Sequence, residues 1–257
     1  MYTRKIVGSV RMCIRDRIGG LFFIGQVMAF LTAMIMSGVG LNELIVILSN
    51  PISYPEHRLM VLTVQGMSSL GGFIIAPLIF YYILVKGNLV KDFIKLPPNL
   101  LNILMTTVVM VFSFMVVNTV FIEWNAELKL PEAFSGVEEW ATNMEDSLKE
   151  LTEFLTRFDS MGYFMMAIVV VAVIPGIGEE LLFRGLLQNI LVRMFKNTHV
   201  AIWVAAIFFS AVHFQFYGFL PRLLLGALFG YLYVWTGNLL VPIVAHFLTI
   251  AASLLAL

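Results

Sequence analysis

Seven apolar runs, each near the length that crosses a bilayer, decide what this chain can fold into. Inside hydrocarbon no water satisfies backbone N–H and C=O groups, so a crossing segment must bond within itself or within a closed barrel. A helical crossing takes ~20 mostly apolar residues, and such runs lie near 18–40, 61–85, 100–122, 161–194, 198–217, 220–235 and 238–257. The chain is 60% hydrophobic and 12% charged, against roughly 45–50% and 25% for soluble domains. The fold class expected is all-α: a polytopic transmembrane bundle of about seven to eight spans, with one amphipathic surface helix. Its first partner is the lipid bilayer. Outside the N-terminal tail there is no basic patch of useful size, which excludes nucleic acid. The single cysteine, Cys13, excludes an intrachain disulfide framework and a thiolate metal cage.

Three regions follow. Residues 1–17 form a basic tail with five Lys/Arg against one Asp. It lacks the apolar core and small-residue cleavage site of a signal peptide, and its stretch SVRMCIRDR resembles translated adapter read-through, so it carries no site argument. Residues 18–160 hold N-terminal transmembrane helices and an acidic segment, and residues 161–257 hold the candidate catalytic core. The last run ends with Leu257, so a truncated C-terminus is one expectation. Within the acidic segment, 123–159 carries ten Asp/Glu against three Lys/Arg. There Val137, Trp140, Met144, Leu148, Leu151 and Leu155 recur at helical spacing, which predicts an amphipathic helix on the membrane face. Basic residues gather in the tail, in the 86–95 loop and in the 193–196 loop. That asymmetry predicts an inner-membrane protein with a cytoplasmic N-terminus and the acidic segment outside.

The fourth run is too long for one ordinary crossing, and Pro175, Gly176 and Gly178 predict a kink or break within it. Just beyond them stand Glu179, Glu180 and Arg184, with His213 and His246 in later apolar runs. An ionisable group at mid-bilayer costs at least ~2.5–3.5 kcal/mol, and such groups face a bundle interior or a wet cavity and mark function. On a helix Glu180, Arg184 and Gln188 share a stripe, so Glu180 pairs with Arg184. Glu179 points about 100° away and is free for proton transfer. Counted from Asn197, Glu179 and His213 are 18 and 16 residues distant, or about 27 and 24 Å, and would meet in depth. His246 starts only about 12 Å into its helix. It matches that depth only if the 236–238 turn is sunk below the surface.

Glu179-Glu180-Leu-Leu-Phe-Arg184 resembles the EExxxR motif of the CAAX protease and bacteriocin-processing (CPBP, or Abi) family of intramembrane endopeptidases, which includes the type II CAAX prenyl proteases. Phe209-Ser-Ala-Val-His213 resembles its FxxxH motif. His246-Phe-Leu-Thr-Ile250 keeps the histidine of its HxxxN motif and has isoleucine where asparagine is expected. The resemblance covers about residues 160–257. It implies that Glu179 and His213 activate a water, that His246 stabilises the oxyanion, and that Glu180 and Arg184 fix the geometry. It also implies an oxyanion donor at position 250, a role worth ~2.7–4 kcal/mol in other hydrolases. Ile250 cannot supply it, which leaves Ser253 and Thr249 as replacement hydroxyls.

The function expected is hydrolysis of peptide bonds at or within the bilayer. Its substrate is a peptide or protein, prenylated or bacteriocin-like by family resemblance. No cofactor is required by the residues. Zinc on Glu179, His213 and His246 is an alternative to metal-free Glu/His chemistry. Two other functions stay open: a proton-coupled transporter with the same residues as a relay, against which no inverted repeat is visible, and an immunity or scaffold protein with a degraded site, for which Ile250 speaks.

Overall fold

The structure, a computed structural model, describes residues 25–85, 87 and 89–255; the basic tail, Cys13 and the start of the first apolar run lie outside them. Every regular element among the described residues is helical. We label them α1 (Gly25–Ser37), α2 (Leu41–Ser49), α3 (Pro55–Ile83), α4 (Leu100–Ala126), α5 (Ser135–Thr156), α6 (Met161–Phe195), α7 (Thr198–Ala211), α8 (Phe219–Thr236) and α9 (Leu240–Leu255). The chain is a multi-pass helical membrane bundle. Among the described residues, α3, α4, α6 and α8 are long and apolar enough to cross alone, and α1 with α2 forms a fifth candidate bent by 104°. Seven to eight full-length spans were expected. The difference lies in α7 and α9, apolar helices shorter than a full crossing, and in the first run, which turns at Gly38 with φ +69° before α2 begins.

α6 is one continuous helix of 35 residues and not a broken pair. The expected disturbance at Pro175 takes the form of a widened π turn at Ile168–Val173. Proline has no N–H to give and its ring crowds the carbonyl four residues back, and an extra residue in the preceding turn relieves both. A second wide turn, Leu181–Gln188, follows the glutamate pair. Widened turns misalign backbone carbonyls, and here the Asn189 amide donates to the carbonyls of Arg184 at 2.8 Å and Gly185 at 3.0 Å.

The glutamate-bearing turn is pressed close to two neighbours. A Cβ on Gly178 would lie 2.6 Å from Phe73 Cβ in α3, and one on Gly176 would meet the backbone N of Phe247 in α9 at 3.4 Å. Across α7 and α8, a Cβ on Gly226 would lie 3.3 Å from Ala206 Cα. These small residues let α6 to α9 approach until the space between them is no wider than a side chain. Around that space Val111, Phe183, Phe209, Phe229, Leu232, Val241 and Ala245 form one buried cluster. A second cluster joins α1, α2, α3, the end of α5 and the start of α6 through Ala33, Leu44, Leu62, Leu155 and Ala167.

α5 is the predicted amphipathic helix. Leu155 is buried and Met144, Leu148 and Leu151 are half-buried, whereas Val137 and Trp140 are exposed, as suits a helix anchored at one end and lying over lipid at the other. α7 stops at Ala211, six residues before the expected end of its span. The chain reverses there through Phe214, with φ +54°, so His213 stands on a turn and not on a helix. The 236–238 turn is packed against the segment before α4 through Asn238. Asn238 is buried, its side chain donates to Lys95 O at 2.7 Å and accepts from Lys95 N at 3.2 Å, and Leu239 N donates to Phe93 O at 2.8 Å. The segment around Phe93–Lys95 therefore pins the start of α9, the helix that carries His246.

Candidate active site

Two carboxylates one residue apart enter different surroundings. Glu180 has no exposed surface, and its Oε1 accepts from Arg184 Nη1 at 2.7 Å and from His246 Nδ1 at 2.9 Å. Arg184 Nη2 donates to Gly226 O at 2.7 Å, and its guanidinium lies 4.6 Å from the centre of the Phe209 ring and 5.4 Å from that of Phe229. Cation–π contacts of this kind are strongest where water is excluded. One buried carboxylate thus ties α6 to α8 and α9 at once. The sequence predicted Glu180 as the partner of Arg184; its second task, orienting the ring of His246, was not visible there. Gln188, one turn on, donates to Gly230 O at 3.3 Å and adds a parallel tie to α8.

Glu179 faces a cavity of about 360 Å³ whose wall includes His213, Arg222, His246, Thr249, Ile250 and Ser253, with Phe209, Leu225 and Phe229 as apolar lining. His213 Nε2 stands 3.8 Å from Glu179 Oε2, too far for a hydrogen bond. The His213 side chain is 29% exposed and that of Glu179 12%, so the His213 side faces outward while Glu179 Oε2 itself is buried. His213 Nδ1 lies 2.8 Å from Phe209 O. A carbonyl only accepts, so Nδ1 carries the proton, and in the neutral ring Nε2 presents a lone pair toward Glu179. The same logic applies to His246, whose Nδ1–H is given to Glu180, leaving Nε2 as its free nitrogen.

Phe209 holds the constellation together. Its ring contacts His213 at 5.3 Å, His246 at 5.5 Å and Phe183 at 5.3 Å between centroids, and Phe229 stacks on His246 at 5.0 Å. Both imidazoles are therefore fixed by aromatic faces as well as by hydrogen bonds. The hydroxyls expected to replace the missing amide at position 250 are at the wall, but each is engaged. Thr249 donates to His246 O at 2.7 Å and Ser253 to Thr249 O at 2.9 Å, and a hydroxyl has one hydrogen to give.

Several residues of the site carried no signal in the sequence analysis. Arg222, in the first turn of α8, is one; its Nη2 donates to Gln215 Oε1. Others hold the 212–221 turn that carries His213 and leads to Arg222. Asn125 of α4 donates to Phe216 O at 3.2 Å and accepts from Leu220 N at 2.8 Å, and Asn118 donates to Pro221 O at 3.4 Å. Ser210 donates to Phe219 O at 2.6 Å, and Glu145 of α5 accepts from Tyr217 N at 2.9 Å. An asparagine in an apolar run, spaced seven from another, is the one trace these contacts leave in sequence.

A zinc ion needs three protein donors converging on one point. Among the described residues no three His, Cys, Asp or Glu side chains are grouped to hold a metal ion, and Glu179, His213 and His246 are no exception.

Residues 161–251 match the Rce1-like family, described as type II CAAX prenyl endopeptidase Rce1-like. It is the same group that the motifs at 179–184, 209–213 and 246 resemble. The matched segment contributes every cavity residue named above except Ser253. "Uncharacterized protein YpbD" of Bacillus subtilis (strain 168) is similar to the chain, 36% identical over 85 residues that make up 32% of this chain and 40% of that relative. The match thus spans less than half of the relative's length. No solved structure matches the chain.

Proposed function

We propose that this chain is an intramembrane endopeptidase, CAAX prenyl protease-like, that hydrolyses a peptide bond with water activated by Glu179 and His213. The observation that carries the proposal is the 3.8 Å gap between Glu179 Oε2 and His213 Nε2. Neither atom has a hydrogen-bond partner in the protein, both are acceptors, and both line one cavity. A water there donates one hydrogen to each and turns its lone pair outward.

The lone pair attacks the carbonyl carbon and the carbonyl π pair moves onto oxygen. The proton released by the water passes to Glu179. Collapse of the tetrahedral intermediate breaks the C–N bond, and the proton goes to the departing nitrogen, so that peptide plus water gives a carboxylic acid and an amine. His246, held by Glu180, presents Nε2 to the oxyanion and donates when the ring is cationic. Phe209, Glu180 and Arg184 keep both rings in place. The apolar walls suit a prenylated tail or a bacteriocin-like segment arriving from lipid. In this proposal the basic loops lie in the cytoplasm, with the N-terminus, and α5 lies outside.

The test is the purified full chain in lipid nanodiscs, incubated with a peptide panel containing farnesylated CAAX tails, their unprenylated counterparts and hydrophobic leader peptides. Mass spectrometry in ¹⁸O-water should find a discrete cleavage with one label in the new carboxylate. A panel left intact, with proton-driven solute uptake by liposomes holding the protein, would replace the peptidase by a transporter.

A further inference from the structure

An oxyanion forming in this cavity needs hydrogen donors, and the donors on its wall can be counted one by one. Glu179 only accepts. His213 spends its Nδ1–H on Phe209 O and offers a lone pair at Nε2. Thr249 and Ser253 spend their single hydrogens on carbonyls of their own helix. Ile250 has none. His246 spends its Nδ1–H on Glu180, so its Nε2 donates only as the cation. Arg222 differs from all of these. A guanidinium keeps all five N–H groups at any working pH, and among the described residues Arg222 is the only arginine or lysine in the wall.

Its placement is built rather than incidental. Nη2 is held by Gln215 Oε1 on the turn after His213. The guanidinium lies flat against Gly218, where a Cβ would come within 3.2 Å of Nη1 and 3.4 Å of Nη2. Nη1 is buried with no hydrogen-bond partner in the protein. A buried, unmet N–H of a charged group is costly, and an intermediate's oxygen in the cavity would supply the missing acceptor. The carboxylates of Glu145 and Glu179 act on Arg222 electrostatically, and neither is hydrogen-bonded to it.

We infer that Arg222 is a catalytic residue of this site, its free Nη1–H donating to the oxyanion of the tetrahedral intermediate in place of the side-chain donor that Ile250 lacks. The inference rests on the peptidase proposal above and deepens it. Arg222 interacts with charge that exists only after water has attacked, so its contribution falls on turnover and not on binding of the uncleaved peptide.

The test compares wild type, Arg222→Gln, Arg222→Lys and Glu179→Gln on the peptide from the panel that wild type cleaves, with a phosphinic-acid analogue of that peptide as tetrahedral-anion probe. Arg222→Gln should lower kcat about 100–1,000-fold with KM within about twofold, the cost of one lost oxyanion donor. It should lose preference for the phosphinate over the parent peptide, and Arg222→Lys should regain part of both. Glu179→Gln should lose turnover yet keep the phosphinate preference. Gel filtration and thermal unfolding of each variant identify loss of fold, and the lysine variant keeps the charge should the glutamine variant not fold. Wild-type kcat in Arg222→Gln, or a rise in KM alone, overturns the role of Arg222 while leaving the peptidase standing. A wild-type protein that cleaves nothing in the panel fails the peptidase proposal and takes this inference with it.

Discussion

Glu180 is the residue on which the site's geometry turns, because one buried oxygen accepts from both Arg184 and His246. Its other oxygen is buried without a partner, so the carboxylate has no reserve bond to fall back on. Removing one member of a buried ion pair strands the other, at a cost of about 3–5 kcal/mol. Arg184→Met should therefore lower thermal stability in detergent by several degrees and abolish cleavage, although Arg184 does not itself line the cavity. The double variant Glu180→Gln with Arg184→Met should recover part of the stability and none of the activity, since His246 still lacks its orienting carboxylate. Equal losses in the single and double variants would show that the pair is not coupled.

Helices α4 and α5 support the site through the 212–221 turn. Asn125→Leu deletes the bonds to Phe216 O and Leu220 N, leaving two half-buried backbone groups unmet at up to about 1–3 kcal/mol each. Its substituent is as apolar as lipid, so α4 stays a span. Cleavage should fall at least tenfold, with the helical circular dichroism unchanged; full activity would remove α4 from the account. What sequence shows and hides follows the same physics. Glu179, Glu180, Arg184, His213 and His246 stand out because charge in an apolar run is expensive. Arg222 does not, because at the first turn of a span it reads as an ordinary interfacial arginine. The neutral amides of Asn118 and Asn125 barely change the hydropathy of α4. The end of α7 is hidden too, since Phe214, Phe216 and Phe219 continue the apolar run past the point where the backbone reverses. Pro175 signalled a disturbance in α6 without saying that a widened turn would absorb it.

At the scale of the molecule, the packing of Asn238 and Leu239 against Phe93–Lys95 fixes the start of α9, whose His246 reaches Glu180 at 2.9 Å. That contact joins residues 143 apart in the chain, so no local pattern announces it. α6 supplies Glu179, the turn after α7 supplies His213, and α9 supplies the ring held by Glu180. The bundle as a whole thus makes one largely apolar-walled space between α6, α7, α8 and α9. The central claim is that Glu179 activates the water there. Its most direct measurement is the initial rate of peptide cleavage by Glu179→Gln, a substitution that keeps shape and removes the base. The account predicts a rate reduced at least about 100-fold, within the range contributed by a general base, in a protein that unfolds at the wild-type temperature; a rate equal to wild type would contradict it.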